Sequence, residues 1–165
     1  MRSITKIILH CSASIAGVNL TGNDIRSMHT NPVRKGGRGW RNPGYHYVVR
    51  LDGTIDQILD EQYIANGVRG HNAESIHICY VGGLDRQGRP ANTLTPRQHA
   101  SICLLLRQLL LRYPTATLHG HREFAAKACP CLEVREVFAN LNAAPLTTSQ
   151  PNNLITSQPQ NLTTS

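Results

Sequence analysis

Apolar positions along the chain fall into short blocks separated by turn residues. Thr5–Cys11 contains the unbroken run Ile7-Ile8-Leu9 and reads as a buried first strand with His10 at its end. Thr21-Gly22-Asn23-Asp24 carries helix-start residues, and Ile25–His29 then reads as a short helix stopped by Asn31-Pro32. Tyr45–Leu51 and Thr54–Leu59 flank Asp52-Gly53, a strong short-range hairpin signal. Ser75–Val81 is a further β-rich apolar run, closed by Gly82-Gly83. Thr95-Pro96-Arg97-Gln98 opens a helix, with Thr as cap, Pro at the first position and Gln reaching back. That helix runs to about Tyr113, and its apolar face is Ile102, Leu105, Leu106, Leu109 and Leu110. Thr115–Gly120 is the last predicted strand and Glu133–Leu141 a closing helix. Strands alternating with helices predict an α/β fold, a sheet covered by helices.

The pattern stops near residue 145. No charged residue follows Glu136, and from Leu146 an octapeptide repeats: Leu-Thr-Thr-Ser-Gln-Pro-Asn-Asn, Leu-Ile-Thr-Ser-Gln-Pro-Gln-Asn, Leu-Thr-Thr-Ser. Such sequence buries too little apolar surface to offset the entropy of ordering it. The expected organisation is one folded domain over residues 1–145 and a disordered tail over 146–165.

Charge and cysteine usage narrow the setting. The 165 residues carry 17 Lys plus Arg against 10 Asp plus Glu, a net +7 that favours anionic partners such as nucleic acid, acidic lipid or an acidic wall polymer. Part of this charge lies in the glycine-rich loop Arg34–Arg41, which also holds the single tryptophan, Trp40. Five cysteines without a miniprotein spacing argue against a disulfide framework and for a reducing compartment. The N-terminus imitates a signal peptide, but its apolar run is too short, so the expectation is synthesis in the cytoplasm without one. No stretch approaches the roughly 20 apolar residues of a membrane span.

Candidate chemistry concentrates in His119–Cys131, which packs His119, His121, Lys127, Cys129 and Cys131 into thirteen positions. Imidazole and thiolate are the preferred ligands of zinc. His119 and His121 share a face if Thr115–Gly120 is a strand, and either could ligate. Cys129 and Cys131 stand too close for a usual structural zinc pair. An open site completed from elsewhere is therefore expected, with His10 as the leading donor.

Four stretches occur in one order: His10-Cys11-Ser12-Ala13, Gly44-Tyr45-His46-Tyr47, Val81-Gly82-Gly83-Leu84-Asp85, and Gly120-His121-Arg122-Glu123 continuing to Lys127-Ala128-Cys129-Pro130. That order resembles the zinc-dependent N-acetylmuramoyl-L-alanine amidases, a family of small phage lysis amidases and peptidoglycan-recognition proteins, over about Ile4 to Leu141. The resemblance implies Zn2+ held by His10, His121 and Cys129, and catalytic roles for Tyr45 and Lys127. It also implies a mixed central sheet flanked by helices, with the metal in a surface groove.

The implied activity is hydrolysis of the amide between the N-acetylmuramic lactyl group and L-alanine. A phage or prophage endolysin fits best, reaching the wall after release. The implied partner is peptidoglycan; a monomer is expected, with no nucleic acid partner and no membrane insertion. Two rival readings are a non-catalytic recognition module of the same fold and, on charge alone, a nucleic-acid binder. Two positions depart from the family pattern: Gly67 stands where a histidine is often found, and His77 where a glycine is common.

Overall fold

A computed structural model describes residues 2–141 and 155–157. In chain order the elements are β1 (Lys6–Cys11), β2 (Ser14–Ile15), α1 (Gly22–Thr30), β3 (Tyr47–Val49), β4 (Ile55–Gln57), β5 (Ser75–Tyr80), β6 (Gly83–Leu84), α2 (Pro96–Arg112), β7 (Thr117–Gly120), α3 (Val134–Val137) and β8 (Ile155–Ser157). Six strands form one sheet in the order β7-β1-β5-β3-β4-β8, and β2 and β6 form a two-stranded parallel pair. Among the described strands of this sheet, β3 and β4 pair antiparallel, joined through the turn at Asp52-Gly53 with Gly53 at φ 89°, and the other pairs are parallel. The sheet is therefore mixed, as the resemblance implied.

The unbroken apolar run of β1 has a direct physical reason: the strand is central, flanked by β5 and β7, and both its faces are covered. Ile7, Ile8 and Leu9 are all fully buried. Buried parallel strands read as continuous apolar runs rather than as alternation. On one face Ile7, Leu9, Ile76, Ile78 and Tyr80 pack against Ile102, Leu105, Leu106 and Leu109 of α2. On the other face Val48, Cys79 and Val81 meet Ile25 of α1 and Ile58.

Helix starts follow their sequence signals. Thr21 caps α1 in a capping box with Asp24, and Thr95 caps α2 in one with Gln98. Gln98 is fully buried, and its amide nitrogen donates to the Val49 and Val81 carbonyls, tying α2 to the ends of β3 and β5. The closing helix is shorter than expected: Val134–Val137 is helical, rather than Glu133–Leu141, and two of its four residues are β-branched valines. Within the stretch expected to form a tail, Ile155–Ser157 pairs in parallel with Ile55–Gln57. The rest of 146–165 lies outside the described residues. Among the described residues no helix is long and apolar enough to cross a membrane.

Candidate metal centre

The second sheet face, toward the carboxyl end of β1, carries the candidate chemistry. Alternation along β1 sends Ile7, Leu9 and Cys11 toward α2, and Ile8 and His10 to the opposite face. His10 is 1 % exposed. The β1–β7 register pairs Leu9 with Gly120, so His121, the next residue, comes level with His10. His121 opens a short 3-10 turn, His121–Glu123. The chain then folds back, and the backbone N–H of Arg122 donates to the Cys129 carbonyl at 2.7 Å. Two more bonds hold this return: the Cys11 backbone N–H donates to the Cys129 sulfur at 3.3 Å, and the Tyr80 hydroxyl donates to the Pro130 carbonyl at 2.6 Å.

Three donors converge as a result. Nδ1 of His10 lies 3.1 Å from Nδ1 of His121 and 3.9 Å from Sγ of Cys129. One donor atom from each of the three residues falls within 4.8 Å of the others. Tetrahedral bonds of about 2.0–2.1 Å to nitrogen and about 2.3 Å to sulfur put donors roughly 3.3–3.6 Å apart. The donor set has the chemistry zinc prefers, and the separations of 3.1 and 3.9 Å lie close to either side of that range. Burial, then His77, His121, Lys127 and His29, push the His10 pKa well below its ordinary value. Burial, then Lys127, lower that of His121. Both rings are thus neutral near pH 7, the form that ligates metal.

Tyr45 packs its ring on His10 at 5.0 Å between centroids. Burial, then the thiols of Cys79, Cys129 and Cys11, raise its hydroxyl pKa, so the phenol keeps its proton. Lys127 is exposed on the loop between His121 and Cys129, near enough for its charge to act on both imidazoles. A line of rings continues outward from Tyr45 to His29 at 5.3 Å and on to Trp40 at 5.1 Å, with the Arg38 guanidinium 5.1 Å from the Trp40 ring. The basic loop thereby borders the site.

The rival ligands lie elsewhere. His119 is in register with Ile8, and its ring nitrogens face Thr117 Oγ1 at 2.7 Å and Glu123 Oε2 at 2.8 Å. Cys131 sends its sulfur to that of Cys11, 3.7 Å away. The Cys11 thiol is pushed up, first by its hydrogen bond to Cys129 and then by burial.

Comparison with known proteins decides the lineage. The family model for N-acetylmuramoyl-L-alanine amidase matches residues 1–131. The chain belongs to that family. Among its amidase-family relatives, the endolysin of Escherichia phage T7 is 36% identical over 133 residues, covering 81% of this chain and 84% of the relative. The endolysin of Klebsiella phage KP32 is 34% identical over 131 residues, covering 79% and 83%. In three dimensions the chain is similar to the Ph2119 endolysin from Thermus scotoductus bacteriophage Ph2119, with TM-score 0.70, 29% identity and 86% of each chain covered. The amidase-family pattern left one buried residue of the site unassigned: His77, whose Nδ1 lies 3.0 Å from Nε2 of His10.

Proposed function

We propose that the protein is a zinc-dependent peptidoglycan amidase of the phage endolysin type. It cleaves the amide between the N-acetylmuramic lactyl group and L-alanine. The observation that carries this reading is the convergence of His10, His121 and Cys129 on one point beside Tyr45. His10 and His121 supply neutral imidazoles, and Cys129 supplies a thiolate. Zinc held by these three residues would supply Lewis acidity toward a carbonyl oxygen and a lowered pKa for water.

The remaining work falls to side chains. Attack on an amide builds negative charge on the carbonyl oxygen, and donors already aimed at it stabilise the transition state. Tyr45, with its phenol protonated, supplies an O–H donor from the wall of the site. Lys127 supplies a positive charge from the loop that carries Cys129. Either group can also give a proton to the leaving amine. Trp40 and Arg38 present an aromatic surface with a cation to the saccharide and acidic stem of the wall polymer. The enzyme acts on the wall as a monomer after delivery to it.

Purified protein is expected to contain about one zinc per chain. A chelator should abolish release of stem peptides from sacculi, and added zinc should restore it. Mass analysis of the muropeptides should find free L-alanine amino termini on the stems. Full activity after verified metal removal would overturn the zinc reading, and products cut at another bond would overturn the amidase reading.

A further inference from the structure

His77 of β5 stands between Ile76 and Ile78 and is fully buried. The parallel register pairs Ile8 with His77 and His10 with Cys79, so His10 and His77 project from the same sheet face on adjacent strands. Nε2 of His10 lies 3.0 Å from Nδ1 of His77, while Nδ1 of His10 faces His121 and Cys129. A neutral imidazole carries one hydrogen on one of its two nitrogens. If Nδ1 of His10 offers its lone pair to the cluster, Nε2 holds the hydrogen and donates. Nδ1 of His77 can accept it only if His77 keeps its own hydrogen on Nε2.

That second nitrogen of His77 is buried and has no hydrogen-bond partner within the described protein. A buried donor left unpaired costs about 1–3 kcal/mol, which an aliphatic side chain at this position would avoid. Stability alone therefore does not account for a histidine here, whereas acceptance from His10 does. The surroundings hold the ring in place. The His77 backbone N–H donates to Nδ1 of His46 at 3.0 Å, and the His46 ring stacks on His77 at 6.0 Å with 7° between planes. A Cβ on Gly67 would stand 2.4 Å from Nδ1 and 2.6 Å from Cγ of His77. Position 67 must therefore lack a side chain for the ring to occupy its place, and the two departures from the family pattern are one coupled feature.

We propose that His77 is a positioning residue of the metal centre: its Nδ1 accepts the Nε2 hydrogen of His10 and so fixes the tautomer that turns the His10 Nδ1 lone pair toward His121 and Cys129. Partners of this kind orient the ring, and losing one weakens metal affinity by about 10–100-fold.

The inference rests on His10, His121 and Cys129 being the metal ligands, and its test keeps the two questions apart. Zinc affinity of the full chain is measured by competition with a chromogenic chelator for wild type, His121→Ala, His77→Leu and His77→Asn. Wild-type affinity in His121→Ala would overturn the metal site itself. With His121→Ala impaired, His77→Leu is expected to bind zinc about 10–100-fold more weakly. His77→Asn, whose Oδ1 can accept in place of Nδ1, should regain most of that loss. Unchanged affinity in His77→Leu, or an equal loss in both variants, would overturn the role of His77. A second measurement needs no variant: long-range 1H–15N spectra of zinc-loaded wild type should place the hydrogen on Nε2 of both His10 and His77. A hydrogen on Nδ1 of His77 would overturn the proposal even if His77→Leu fails to fold.

Discussion

Pro130 separates two thiols that go to different neighbours. The Cys129 sulfur lies 3.9 Å from His10 Nδ1, and the Cys131 sulfur lies 3.7 Å from that of Cys11. Burial and then Cys11 push the Cys131 thiol up to about 11, so it stays protonated near neutral pH. With the proposed ligand set, Cys129→Ser exchanges a metal-binding sulfur for a poorly ionised hydroxyl. It is expected to lose zinc and activity, with partial unfolding because metal binding and folding are coupled. Cys131→Ser should keep both. Zinc content and muropeptide release, measured side by side under reducing conditions, check this, and zinc lost from the Cys131 variant alone would reverse the assignment. Spacing left Cys129 against Cys131, and His121 against His119, unresolved in the sequence. Register separates the histidines, because Gly120 pairs with Leu9 and brings His121 level with His10. Strand pairing between residues 111 positions apart is set by tertiary packing and has no local signature. His77 did have a signal: a polar residue inside the buried run Ser75–Val81, matched by a glycine at 67.

Elements whose causes are local were legible. The Asp52-Gly53 turn and the capping boxes of α1 and α2 each depend on a few neighbouring residues, and they form where the sequence places them. The β2–β6 pair was not legible, since two residues per strand carry no periodicity. Gln98 shows how a local cap also acts at long range. Its side chain accepts from the Thr95 backbone N–H at 3.0 Å and donates to two buried carbonyls on the sheet, at 3.1 and 2.9 Å. Gln98→Met keeps much of the volume and takes their side-chain partner from the Thr95 N–H and the Val81 carbonyl, while the Val49 carbonyl keeps its bond from the Val81 N–H at 3.0 Å. The expected loss is about 1–3 kcal/mol for each buried group without a partner. It would be read as a lower urea midpoint at unchanged slope, and an unmoved midpoint would show that Gln98 only caps the helix.

Across the whole molecule, the net charge of +7 makes its few buried carboxylates conspicuous. Glu61 is 9% exposed and accepts hydrogen bonds from the hydroxyls of Tyr47 and Tyr113 and from the Arg112 guanidinium. Burial raises its pKa, but the bonds from Tyr113, Tyr47 and Arg112 together outweigh burial and lower it. A carboxylate with a depressed folded pKa adds stability above its unfolded value, about 4.3, and that share disappears as pH falls through the folded value. Glu61→Gln should therefore be less stable than wild type at pH 7, with the gap closing below about pH 4. Urea unfolding at both pH values measures it, and a gap independent of pH would assign the loss to packing. The order of the sheet has one further consequence, for synthesis. Of the strands in this sheet β1 is made first, yet its two neighbours are β5 and β7, and its His10 meets a cysteine 119 residues downstream. At about 5–20 residues per second the last partner arrives on the order of ten seconds later. Until then Ile7-Ile8-Leu9 has at most one of its two native neighbours and keeps an open apolar edge, able to pair with any strand offered to it. The residues that make the centre of the finished sheet are, for those seconds, the ones most exposed to a neighbouring nascent chain.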